Sequence, residues 1–157
     1  MILLLLIGCK SKTVNSKPED IISEDSITDN YKFVKVSLSE VDINQKKKAY
    51  ELGKRVLMTC NTSKFKPFNS TEATASVIKN TTLENLTKIC ARYRQYYGEF
   101  KDLKLVEVYK KTAENVTIFR YKALYSKKIA NKELRVIMNE ENKVSSIKSM
   151  DWANVFK

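Results

Sequence analysis

The fold is decided by residues 102–111, DLKLVEVYKK, and residues 115–127, NVTIFRYKALYSK, in which apolar and polar side chains alternate. Residues 131–139, NKELRVIMN, and 143–152, KVSSIKSMDW, continue the same pattern. A period of two is typical of strands that bury one face. Short connections between successive strands favour antiparallel neighbours, so these segments predict a four-stranded antiparallel meander.

One face of the two central strands is apolar. It consists of Phe119, Tyr121, Ala123 and Tyr125 in the second strand and of Leu134, Val136 and Met138 in the third. The turn before the fourth strand ends at Asn142, and asparagine tolerates a positive φ. The sheet is therefore expected to present one continuous apolar face to the rest of the chain.

A long helix is predicted before the sheet, over residues 40–61. Ser39 with Asp42, or alternatively Asn44, is available to cap its start. Apolar residues recur at spacings of three and four, which places them on one stripe of the helix. The stripe consists of Ala49, Leu52, Gly53, Val56, Leu57 and Cys60.

Two shorter helices follow. Asn69–Glu72 resembles a capping box and predicts a helix over about residues 70–79. Thr81 with Glu84 starts the next helix, which ends before Gly98 because glycine commonly follows a helix end. Its stripe consists of Leu83, Leu86, Ile89, Cys90, Tyr93 and Tyr97. The order predicts an α+β fold, with three N-terminal helices packed on a curved four-stranded antiparallel sheet.

The composition excludes several chemical classes. The 157 residues fit one domain with a tail, and 29 basic against 18 acidic residues give a net charge of +11. Without histidine the chain has no imidazole general base and no Ser-His or Cys-His pair. Three glycines are too few for a phosphate-binding glycine loop. No cofactor and no metal site is expected.

The chain opens with an apolar run, MILLLLIGC, over residues 1–9. A membrane-spanning helix needs about 20 apolar residues, so this run is too short to span a bilayer. It also lacks the basic residues that precede a secretory apolar core. The run therefore favours a signal segment, residues 1–8, whose translation start lies further upstream.

The residues Leu6-Ile7-Gly8-Cys9 resemble the bacterial lipobox. The resemblance implies that Cys9 receives a diacylglyceryl group, that the signal segment is cut before it, and that the new amine is acylated, for example with palmitate. Several acyl chains hold a protein on a membrane almost permanently. A short apolar strand with a buried cysteine is the alternative. Lys10, which is not aspartate, weakly favours the outer over the inner membrane of a bacterial cell envelope.

Residues 9–39 are predicted to form the lipidated cysteine and a flexible linker, because Ser, Lys, Thr, Asn, Asp and Glu dominate them. Five lysines and five acidic residues cancel there, so the whole excess charge belongs to the domain predicted over residues 40–157. Within the linker, Tyr31–Leu38 alternates in polarity and is expected to be able to lie on the domain as an extended piece.

The element order, the junction Tyr97-Gly98-Glu99-Phe100 and the restart at Asn142-Lys143-Val144 resemble the nuclear-transport-factor-2-like, or cystatin-like, α+β roll. The resemblance covers residues 40–152. It implies a cone-shaped cavity between the sheet and the helices. Relatives with this roll include small cavity enzymes of the ketosteroid-isomerase type, transport adaptors and envelope proteins, so the fold does not fix the function.

A cavity of this kind is expected to be lined by aromatic side chains with polar tips. The candidates are Tyr93, Tyr97, Phe119, Tyr121, Tyr125 and Trp152. They indicate a small apolar ligand or an envelope partner, and a filled core is the alternative. No carboxylate matches an enzyme's acid–base pair, so no catalytic residue is carried over and a non-catalytic domain is favoured.

Cys60 and Cys90 lie on the apolar stripes of two helices that are expected to pack together. An exported protein permits a disulfide between them. Two buried free thiols are the alternative, because free cysteine is among the most buried residue types. Sequence leaves both possibilities open.

The basic charge predicts either a solvated surface or a face for anionic envelope polymers or lipids. The candidate anion-binding residues are Lys46, Lys47, Lys48, Lys110, Lys111, Lys127 and Lys128, and Lys132, Arg92 and Arg94 belong to the same set of basic residues. Nucleic acid is not an expected partner of an exported lipoprotein.

Overall fold

The computed structural model describes residues 33–156. The helices are α1 (Ile43–Thr62), α2 (Ala75–Asn80) and α3 (Leu83–Tyr97). The strands are β1 (Phe33–Val36), β2 (Phe100–Lys111), β3 (Val116–Tyr125), β4 (Lys132–Met138) and β5 (Val144–Asp151). One 3₁₀ turn, Thr112–Glu114, joins β2 to β3. The protein is therefore α+β, as the sequence predicts.

The sheet is open and wholly antiparallel, with strand order β1-β2-β3-β4-β5. The four predicted strands are present, and the prediction is one strand short. The fifth, β1, pairs Phe33 with Lys111 and Val36 with Val108. It lies within Tyr31–Leu38, the part of the linker that is expected to be able to lie on the domain as an extended piece. A domain boundary at residue 40 leaves this edge strand out.

Helix α1 lies directly on the sheet. Its cap is Asp42, whose Oδ1 accepts a hydrogen bond of 2.7 Å from the backbone N–H of Gln45. The predicted stripe faces the core. At Gly53 a Cβ atom would lie 2.9 Å from Cδ2 of Leu134 and 3.0 Å from Cγ2 of Val136. Glycine is needed there because the helix backbone approaches β4 so closely.

Helix α2 begins five residues later than predicted. Asn69 and Glu72 do hydrogen bond reciprocally, but they close a turn. The backbone N–H of Val144 then donates to Glu72 O, and the N–H of Thr74 donates to Val144 O. Pairing with the start of β5 therefore keeps the chain extended until α2 starts at Ala75.

Helix α3 and the last turn follow their local signals closely. The cap is Thr82 rather than Thr81, and its side chain accepts from the N–H of Asn85 at 3.2 Å. The helix ends before Gly98, which has φ +77°. Asn142 has φ +57°, as the turn prediction requires.

Within residues 33–156 no helix is both long enough and apolar enough to cross a membrane. The lipobox resemblance and Cys9 lie outside the described residues.

Candidate functional site

An apolar groove opens between helix α3 and strand β5, and we call it the α3–β5 groove. Its volume is about 300 Å³. Its floor comes from α1 and β4, and its walls come from α3, β5 and the α2–α3 connection. The lining residues are Val56, Leu57, Cys60, Asn80, Thr81, Asn85, Leu86, Ile89, Tyr93, Leu134, Ile147 and Ser149.

The groove lies where α3, which is joined to α1 by a disulfide, contacts the sheet through the side chains of its last turns. A disulfide between Cys60 and Cys90 joins the two helices, with a Cα–Cα distance of 4.8 Å. Strand β5 is the edge of the sheet. Among the described side chains one hydrogen bond joins α3 to β5, between Tyr93 Oη and Ser149 Oγ at 3.0 Å.

Ile89 shows how open the groove is. It lies on the apolar stripe of α3, yet 49% of its surface is exposed. Leu86, one turn earlier on the same helix, is buried. The stripe that the sequence predicts is therefore covered by α1 along one side and left uncovered along the side that faces β5.

A smaller cavity of about 240 Å³ continues the groove towards the C-terminal end of α3. Ile89 and Tyr93 line both spaces, and Arg92, Tyr97 and Lys132 line the smaller one. The combined site therefore has an apolar part and a cationic end.

Lys132 is the buried cation of this site. Only 9% of the residue is exposed, and its Nζ lies 2.6 Å from Asp151 Oδ1. The same Nζ lies 4.9 Å from the ring centre of Tyr97 and 5.6 Å from that of Tyr93. Burial lowers the pKa of Lys132, but hydrogen bonds to Asp151 and Tyr97 outweigh burial and raise the pKa above its ordinary value.

Of the six predicted lining residues, Tyr93 and Tyr97 lie in this site and the other four do not. Phe119 is fully buried in the core. Tyr125 packs its ring on Tyr97, at 5.8 Å between ring centres. The six aromatic residues therefore do not line one pocket. Phe119 fills the core, as the alternative expects. Tyr121 and Tyr125 lie at different positions along β3, and Trp152 packs on Arg120.

Tyr121 lines another cavity, of about 440 Å³, between the start of α1 and β2. Its hydroxyl donates to the carbonyl of Lys46 at 3.4 Å. Burial raises the pKa of Tyr121 well above its usual range. Leu38 and Ile43 line the open side of this cavity.

Trp152 lies on the opposite face of the sheet, which we call the outer face. Its ring covers the guanidinium of Arg120, with Cζ 3.9 Å from the ring centre. Phe156 stacks on Tyr109 at 4.0 Å. Trp152 and Phe156, which follow β5, therefore both pack on the outer face.

Beneath these rings lies a network of buried charges. Arg120 Nη1 donates to Glu107 at 2.7 Å, and Nη2 lies 2.7 Å from Glu133 Oε2. Arg135 pairs with the other oxygen of Glu133. Hydrogen bonds from Lys35 and Arg120 lower the pKa of Glu107 to about 2.

The predicted anion-binding lysines do not form one surface. Lys110 and Lys111 lie at the end of the sheet where β2 meets the start of β3, whereas Lys127 and Lys128 follow the opposite end of β3. Lys48 and Lys127 donate to the backbone carbonyls of Thr71 and Gln95, respectively. Lys46 and Lys47 line the cavity above Tyr121.

Sequence reasoning placed Lys132 among the basic residues of a possible surface for anions and not in an apolar site, and it missed Ile147. Lys132 precedes Leu134 by two positions and therefore shares its apolar face. A charged residue on an otherwise apolar strand face is a signal that sequence offers. Ile147 gave no comparable signal, because an isolated isoleucine on an edge strand is ordinary.

Within the described part of the chain, no group of three or more Cys, Asp or Glu side chains is placed to hold a metal ion. Comparison with known proteins finds no family model, no curated protein and no solved structure that matches the chain.

Proposed function

We propose that this protein is a lipid-anchored protein of the bacterial cell envelope whose α+β domain binds a small apolar ligand in the α3–β5 groove. The observation that carries the proposal is the groove itself. Its volume of about 300 Å³ lies at the lower end of the range for small-molecule sites, about 300–1,000 Å³.

The lining of the groove favours binding of an apolar group. Aliphatic side chains from four elements converge on it, and polar side chains lie at its rim. Asn85 Nδ2 donates to Asn80 O at 3.0 Å at that rim. Binding to an apolar surface of this kind is favourable, because the ligand removes the surface from water.

The type of α+β fold supports the same proposal. Three helices on an antiparallel sheet, with a cavity between them, are the features that a cystatin-like or nuclear-transport-factor-2-like roll implies. We therefore propose that the domain is a roll of this type, extended by β1.

The lipid anchor is proposed from the resemblance of Leu6–Cys9 to a lipobox. The Cys60–Cys90 disulfide supports export, because disulfides persist in oxidising compartments and are rare in the cytosol. The anchor would hold the binding domain at the membrane surface.

The chemistry of the groove favours binding over catalysis. Among the described residues that line it, none is a carboxylic acid. Tyr93 shares its hydroxyl hydrogen bond with Ser149, and the buried carboxylate Glu133 lies on the outer face with Arg120. An acid–base pair of the kind that a cavity isomerase uses is therefore not assembled in this groove.

The ligand proposal is tested with 1-octanol as a neutral apolar probe, by isothermal titration calorimetry. We expect the wild-type domain to bind it and Ile147→Trp, which fills the groove, to lose binding. Ile137→Trp is the matched control, because the side chain lies on the outer face of the neighbouring strand. Equal binding by both variants would place the ligand elsewhere.

The anchor is tested by fractionating cells that express the full chain from its native start. Cys9→Ser should move the protein from the membrane to the soluble fraction, because the lipid is attached to the thiol. Full retention on the membrane would defeat the lipobox interpretation. Lys10→Ser is the control for a change at the same place, and it should leave retention unchanged.

A further inference from the structure

We infer that the ligand of the α3–β5 groove is an amphiphile with one anionic head group, of the medium-chain carboxylate class, and that Lys132 binds the head group. The inference rests on the proposed function and adds the chemical class of the ligand. Its basis is a nearly buried cation at the end of an apolar groove.

Lys132 is an unusual residue at its position. A buried ammonium loses much of its hydration, and here the ion pair with Asp151 and the ring contacts with Tyr93 and Tyr97 compensate for that loss. Lys132 lies on the same face of β4 as the core residue Leu134. A methionine or leucine would satisfy that face without the loss of hydration, so the charge is the feature that needs another explanation.

The carboxylate that pairs with Lys132 in the described structure is exposed, so a ligand carboxylate is able to replace it. Asp151 accepts from its Nζ at 2.6 Å, but the Asp151 side chain is 83% exposed. An ion pair with so exposed a carboxylate contributes little to stability. An ammonium has three donors, so a ligand carboxylate can join Asp151 or displace it.

The two spaces of the site match the two parts of an amphiphile. The larger, apolar space accepts the hydrocarbon chain. The smaller space holds Lys132 and Arg92 and accepts the negative group. Ile89 and Tyr93 line both spaces, so one short molecule is able to lie in both at once.

The experiment compares octanoate with 1-octanol by isothermal titration calorimetry on the folded domain. We expect octanoate to bind at least about tenfold more tightly, which is the usual gain from hydrogen bonds to a charged group. Lys132→Met, which keeps the apolar stem, should remove that advantage and leave 1-octanol affinity unchanged. Lys128→Met, an exposed lysine of the same β3–β4 connection, should change neither affinity.

Asp151→Asn gives a test that does not depend on weakening the protein. Removing the competing carboxylate should raise octanoate affinity several-fold, and 1-octanol affinity should stay the same. The substitution is at an exposed side chain, so the domain is expected to fold.

The outcomes separate the two proposals. If neither probe binds the wild type, the proposed function and this inference both fail. If the two probes bind equally, or Lys132→Met leaves the octanoate advantage intact, the groove is an apolar site and the inference about the head group is overturned. Weaker octanoate binding by Asp151→Asn would also overturn it.

Discussion

The two faces of the sheet differ in chemical character and in exposure to solvent, and each combines the two in an unexpected way. The outer face carries charges, yet Arg120 and Glu133 are 0% exposed because Trp152 and Phe156 cover the network. The helix face is apolar, yet it is open at the α3–β5 groove, where Ile89 is 49% exposed. Folding stability alone favours charges that are hydrated and apolar groups that are buried. The open groove is therefore the feature that a binding function explains.

The largest effect is expected on the sealed face. Arg120→Met should lower the free energy of unfolding by about 4 kcal/mol, because it removes the buried cation that Glu107 and Glu133 share. Urea denaturation measures the loss. Lys122→Met, a neighbour on the same strand face, is the control and should lose much less. Equal losses would contradict the sealed network.

The next effect is expected on the open side. Replacing Cys60 and Cys90 together by alanine should cost about 3.5 kcal/mol, since the disulfide closes a loop of 30 residues. The variant should also bind 1-octanol less well, because the bond fixes α3 at the edge of the groove. A reductant should lower the free energy of unfolding of the wild type and leave that of the alanine variant unchanged. A wild type whose free energy of unfolding does not change would contradict the prediction.

The aromatic cover of the outer face should contribute less. Trp152→Ala should lower the free energy of unfolding by about 2 kcal/mol, because it removes a desolvated cation–π contact with Arg120 and buried apolar surface. Urea denaturation measures this loss, and 1-octanol affinity should not change. Val155→Ala is the control, since that side chain is exposed in the same segment. A stability change equal to that of Val155→Ala would show that the ring does not seal the network.

Acid should lower the free energy of unfolding in a defined pH window, because it protonates Glu107 on the outer face. The pKa of Glu107 is about 2, below its ordinary value of 4.5. Its contribution to stability is complete above pH 4.5 and is lost as the pH falls towards 2, because the unfolded chain binds the proton first. Glu107→Gln should flatten this part of the stability curve, and an unchanged slope would contradict the assignment.

The smallest effect on stability is expected at the groove. Ile89→Ser should cost less than about 1 kcal/mol, because the side chain is already half exposed. The same substitution should lower 1-octanol affinity, measured by calorimetry. A large loss of stability would mean that Ile89 is part of the core and that the groove is closed in solution.

Much of the fold was predictable because it depends on local signals. The stripe of α1, the end of α3 at Gly98 and the turn at Asn142 follow from residue type and spacing. Strand β1 was predictable from its alternating polarity only as an extended piece and not as a paired strand, and the late start of α2 was not predictable. Both depend on pairing with distant residues, Lys111 and Val144, whose proximity the sequence does not reveal.

The site was predictable only in part. Tyr93 and Tyr97 were found because they continue the stripe of α3. Trp152 was misplaced because the chain crosses to the outer face directly after β5. The groove is open because of the separation between α3 and β5. That separation depends on tertiary packing, so the local sequence pattern does not indicate it.

The most direct test of the open groove is an NMR measurement of intermolecular nuclear Overhauser effects between 1-octanol and the methyl groups of the domain. The proposed binding site predicts contacts from the ligand to Ile89, Leu134 and Ile147 and none to Ile137 on the outer face. Contacts to Ile137 alone, or no contacts at a saturating ligand concentration, would contradict it.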